Sequence, residues 1–220
     1  MKPVNIWSLK WSDGMNKAGI LRMSGLALCM LLPGGAEAKP VQSTKYVFYN
    51  VGGTTASSVY SAMLARGPNV NGAKAYAATS AVSSQDGKLA QTTSCVIEDY
   101  RVKIDFVIKL PKLKNEAVLP ASDRSRWRQF SQFLKSHEET HRSIWLGCAQ
   151  ELESKVKAIK VKTCNAAEAR ASKLWDAMRK SCGKKHDAFD KAEQKRLLQH
   201  PFVRTVLNSK RRNTHAAKAQ

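Results

Sequence analysis

The chain has 220 residues, 43% of them hydrophobic and 25% charged. That length suits one ordinary domain, and the composition excludes both a disordered chain and an integral membrane protein, because no apolar run approaches the about 20 residues that a helical span needs. Lys and Arg number 37 against 17 Asp and Glu, and the resulting charge of +20 draws the protein towards anionic partners: nucleic acid, acidic lipid or acidic envelope polymer.

Lys17 and Arg22 precede the nearly uncharged Met23–Leu32, which leads into Pro33-Gly34-Gly35 and then Ala36-Glu37-Ala38. Basic, apolar and small-residue regions in that order predict a secretory signal over residues 1–38, cut after Ala38. Met15 is the start that gives a leader of ordinary length, and Met1 is the alternative. Cleavage removes Lys2, Lys10, Lys17 and Arg22 but only Asp13 and Glu37 on the acidic side, so the exported domain stays strongly basic and keeps no membrane span. It also leaves Cys95, Cys148, Cys164 and Cys182, with no Cys-x-x-Cys spacing, which predicts two disulfides in a secreted or periplasmic protein. Export disfavours nucleic acid as the natural partner and favours an anionic cell-envelope polymer.

Lys45–Val51 is aromatic and β-branched and ends at Gly52-Gly53, which predicts a strand. Thr54 or Thr55 caps a short helix carrying Val59, Met63 and Leu64 and stopped by Gly67-Pro68. A second strand is expected over Lys74–Val82. The clearest is Tyr100–Leu110, where Tyr100, Val102, Ile104, Phe106, Ile108 and Leu110 alternate with mostly charged residues. From a Ser122 or Asp123 cap to about Lys160 the period becomes helical, with Trp127, Phe130, Leu134, Ile144, Cys148, Leu152 and Val156 on one stripe. A break at Val161–Asn165 precedes a second helix from about Ala166 to Leu198, and the short connection predicts an antiparallel hairpin. The fold class is therefore α+β, a small antiparallel or mixed sheet packed on a long helical hairpin. The domain spans residues 39–208, with Phe202, Val203, Val206 and Leu207 docking near its end and a basic disordered tail over 209–220 that includes Lys210-Arg211-Arg212.

His137-Glu138-Glu139-Thr140-His141 lies within the long helix. Histidines four apart share a face, so both imidazoles can hold one metal ion, for which zinc is the expectation, while Glu138 reaches a water as general base. Both histidines sit on the apolar stripe and are aimed inward. Glu139 is expected to face solvent. No third histidine follows at the spacing that would extend the motif, so another element supplies the third ligand. If the turn centres near Asn165, partners across the hairpin sum to about 330. Cys148 then meets Cys182, leaving Cys95 for Cys164, and Asp190 and Glu193 face His137–His141. Asp190 is the first choice for third ligand and Glu193 the second, with His186 and His200 behind them.

This array resembles a bacterial family, domain of unknown function 922, described as predicted secreted zinc-dependent proteases. Tyr46–Thr54, Arg66-Gly67-Pro68, Ala77-Ala78-Thr79, the strand from Cys95 to Leu110-Pro111, Trp127 and Phe130 ahead of His137–His141, and Phe189-Asp190-Lys191-Ala192-Glu193 carry the likeness over roughly residues 45–207. The resemblance implies a zincin-like zinc metallopeptidase that acts on a peptide or protein substrate. The alternative is a non-catalytic cationic envelope-binding or assembly protein whose metal site is structural or lost.

Overall fold

A computed structural model of the chain describes residues 10–13, 40–70 and 72–218. The expected signal over 1–38 lies outside the described residues apart from one strand, β1 (Lys10–Asp13). There follow β2 (Val41–Val51), α1 (Ala56–Arg66), the short β3 (Asn69–Val70) and β4 (Ala73–Lys74), β5 (Ala78–Gln91) and β6 (Cys95–Leu113). The helical half comprises α2 (Ala121–Lys157), a two-residue β7 (Lys160–Val161), α3 (Cys164–Gln199) and α4 (Pro201–Lys218). The main sheet runs β1-β5-β6-β2, with β5 and β6 antiparallel and both outer pairings parallel, and β7 pairs with the start of β6. It is an α+β fold with a small mixed sheet.

α1 is opened by a capping box between Thr55 and Ser58, and Gly67 ends it where a Cβ would collide with the Ala75 carbonyl. The strand expected over Lys74–Val82 is two elements. Lys74 pairs back onto β3, and β5 begins only at Ala78 but continues to Gln91 through Ser83, Ser84, Gln85 and Asp86. Those polar residues carry no apolar alternation, and their place in the sheet comes from backbone pairing with β6. α2 starts after Pro120 and has no side-chain cap; Asp123 instead accepts a bond from the Ala56 N–H, tying α2 to the start of α1 at 3.1 Å. The tail expected to be disordered continues α4 to Lys218. Phe202, Val203 and Val206 anchor that helix in the core, and beyond them Ser209 bonds Ser57 at 2.6 Å and Lys210 lies over the Tyr60 ring.

Both disulfides join the expected cysteines. Cys95–Cys164 ties the sheet to the start of α3, and Cys148–Cys182 ties α2 to α3 with Cα atoms 6.0 Å apart. The apolar interior comes in two parts. One gathers Trp127, Phe130 and Leu134 of α2 with α1, Leu197 and α4, and the other gathers Trp145, Cys148, Leu152 and Val156 with β6, Met178 and Cys182. Between them α2 contributes His137, Glu138 and His141, and α3 contributes His186 and Glu193, all buried. A polar layer therefore separates two apolar cores, and such a layer requires partners for every group in it.

Candidate metal centre

One α-helical turn stacks His137 and His141 on the same side of α2 and turns Glu138 towards the sheet. The two Nε2 atoms lie 3.0 Å apart, and Asp190 Oδ1 of α3 lies 3.2 Å from the first and 3.0 Å from the second. These three side chains are the one group of potential metal ligands that converge among the described residues. Despite those distances Asp190 Oδ1 accepts no well-formed hydrogen bond, and Glu138 Oε1 is likewise buried without a partner. Lone pairs on two imidazole nitrogens and a carboxylate oxygen, aimed at one another in a buried layer, repel unless protons or a cation lie between them. Two histidines and a carboxylate are a donor set that suits zinc, so the residues fit such an ion.

Burial sets the electrostatics. It pushes Glu138 up to about 7, against the opposing pull of His141 and the hydroxyl of Thr79. Thr79 of β5 donates to Glu138 Oε2 at 2.8 Å and lies 3.0 Å from the Glu138 carbonyl oxygen. Burial also lowers His137, opposed by Asp190. Burial alone would raise the carboxyl of Asp190, but the imidazoles of His137 and His141 outweigh it and hold it below the ordinary carboxylate range. A lowered His137 and a lowered Asp190 both favour the deprotonated forms that a divalent cation needs from its ligands.

Of the two carboxylates expected to complete the set, Asp190 is in the group and Glu193 is not. Glu193 stands a turn further along α3 and takes Arg196 at 2.6 Å. His186 is in the layer but outside the ligand triangle, with its Nδ1 2.8 Å from His141 Nδ1. His200 is outside it, packed at a tilt against the Phe130 and Phe133 rings and accepting from the Phe202 N–H. Glu139 does not simply face solvent, because Tyr46 of β2 donates to it at 2.7 Å and Lys135 lies 3.7 Å away. Phe189 covers the ligands, its ring centroid 4.7 Å from that of His137 and 5.2 Å from that of His141.

Thr79 is the site residue that periodicity could not single out. It faces inward on a strand whose other inward residues, Ala81 and Ser83, are equally small, and this smallness lets α2 approach closely. The available signal was its place in Ala77-Ala78-Thr79, one of the segments that carry the family likeness.

Fold and site together define an α+β protein with a two-histidine, one-aspartate cluster built between two long helices. A family model described as "Bacterial protein of unknown function (DUF922)" matches residues 46–197, and the chain belongs to that family. No curated protein and no solved structure matches it.

Proposed function

We propose that this is a zincin-like zinc metallopeptidase, acting outside the cytoplasm as a secreted or periplasmic enzyme. The observation that carries the reading is the convergence of His137 Nε2, His141 Nε2 and Asp190 Oδ1 beside a buried, ionisable Glu138. Those three residues would hold the ion. Zinc bound there supplies Lewis acidity, which polarises a carbonyl and acidifies water. Glu138, rotated about 100° from His137 on the helix, does not share the histidines' approach, which supports it as the base rather than a ligand. Its carboxylate would accept the proton of the attacking water and return it to the leaving amine. Thr79 holds that carboxylate against the sheet.

A peptide or protein substrate would add as a strand to the sheet edge. β1, which pairs with β5 next to Thr79, lies in the segment expected to be cleaved, so export would free this edge. Two disulfides support an oxidising compartment, and no helix among the described residues is long and apolar enough to cross a membrane. The positive charge favours retention on an anionic cell-envelope polymer.

Burial favours a second reading. His137, Glu138 and His141 are only 1–3% exposed, as suits a structural ion in a non-catalytic cationic envelope protein. Peptide cleavage by the zinc-loaded wild type separates the two readings, and Glu138→Gln then tests the mechanism. A peptidase variant keeps its zinc and its fold but loses cleavage by at least about 10²-fold, the scale of general acid–base catalysis. Undiminished cleavage by this variant would contradict Glu138 as base, and loss of zinc with activity would make it a ligand.

A further inference from the structure

His186 has no role in the proposed chemistry, yet it is 2% exposed and touches a ligand. Its Nδ1 lies 2.8 Å from His141 Nδ1, while His141 turns its other nitrogen, Nε2, to Asp190 and His137. An imidazole that ligates through Nε2 must carry its proton on Nδ1, so that proton has one destination, the Nδ1 lone pair of His186. His186 then keeps its own proton on Nε2, which lies 3.8 Å from Cys182 Sγ of the Cys148–Cys182 disulfide. Trp145 closes the other side, with ring centroids 5.0 Å apart. Cys182, His186 and Asp190 follow at steps of four along α3. One face of that helix therefore carries in turn the residue bonded covalently to α2, the acceptor for His141 and the carboxylate at the ligand triangle.

Resting on the zinc reading above, we propose that His186 is a positioning residue: it accepts the His141 Nδ1 proton, locks His141 in the tautomer that presents Nε2 to the metal, and thereby sets metal affinity. Outer partners of this kind typically change metal affinity by about 10–100-fold when removed. An imidazole in this place leaves His141 without the negative partner that a carboxylate would provide.

The test is zinc affinity of the exported domain, measured by competition with a chromophoric chelator, for wild type, His186→Leu and His186→Asn. Asn sets its amide oxygen about where Nδ1 stood and keeps the acceptor, whereas Leu fills the space without one. His186→Leu should bind zinc about 10–100-fold more weakly, with both disulfides intact, and His186→Asn should recover most of that loss. A folded His186→Leu that binds zinc like wild type overturns the inference, and so does an Asn variant as weak as Leu. If the Leu variant does not fold, nitrogen-15 NMR of the zinc-loaded wild type decides: a His141 proton on Nδ1 supports the inference and one on Nε2 overturns it. Wild type that takes up no zinc while folded removes the zinc reading itself, a result distinct from zinc binding that ignores residue 186.

Discussion

The α2–α3 hairpin contains two contacts built on opposite principles, two turns apart. At Cys148–Cys182 the helices meet through a covalent bond surrounded by Trp145, Leu152, Met178 and β6 side chains, a contact made by the chain's own atoms. At His137, His141 and Asp190 the same helices meet through three lone-pair donors at 3.0–3.2 Å. The first contact would hold the helices in place whether or not an ion is present. Under the zinc reading proposed above an ion would complete the second, and the apolar, disulfide-linked end would be the rigid frame on which that site is preorganised.

Removing Asp190 should break the contrast most severely. Asp190→Ala is expected to lower zinc affinity by more than the about 10–100-fold associated with outer-shell partners, because it deletes a donor outright. Chelator competition measures this, and near-wild-type binding would mean that the third ligand lies elsewhere. The frame is tested by the Cys148→Ala/Cys182→Ala double variant, which should lose about 2–4 kcal/mol of stability in urea unfolding. Saturating zinc should restore part of the loss, since an ion that binds only the folded hairpin stabilises it by mass action.

A smaller effect is expected from pH in the metal-free protein. Glu138 is raised from its ordinary value to about 7, so the folded state holds its proton more tightly than the unfolded state does. The stability this contributes is complete below about pH 4.5 and is lost as pH rises through 7, a change on the order of 3 kcal/mol. Glu138→Gln should flatten this part of the pH profile in urea titrations at pH 5 and pH 8, and an unchanged slope would show that another group carries it. The smallest effect belongs to Glu193. Its pairing with Arg196, itself 69% exposed, predicts that Glu193→Gln alters zinc affinity by less than about tenfold, in line with the modest worth of such pairs.

The disulfide-linked end was readable because helical period and a short connection restrict which residues can meet: one register pairs Cys148 with Cys182 and brings Asp190 towards the histidines. The same arithmetic could not separate Asp190 from Glu193, which share a face. The choice depends on side-chain length and on Arg196 drawing Glu193 away. The polar layer's supporting residues were less legible. Thr79 sits among small inward residues on a strand whose continuation through Ser83–Asp86 is held by backbone pairing, and side-chain patterning records neither. His186 lies four residues before Asp190 and four after Cys182, a spacing that places it on the right face of α3. Its role depends on which nitrogen of His141 faces the ligands, and sequence does not encode that directly. The α4 extension past Leu207 rests on contacts of Ser209 and Lys210 with α1, far away in sequence, so local composition pointed to a free tail.

His137, His141 and Asp190 are proposed to hold one divalent ion together. Elemental analysis of the purified exported domain, with wild type beside His137→Ala and Asp190→Ala, tests this most directly. Folded wild type should carry one equivalent of zinc, and neither folded variant should retain any. Folded wild type without zinc, or an Asp190→Ala variant that keeps a full equivalent, would contradict the proposal.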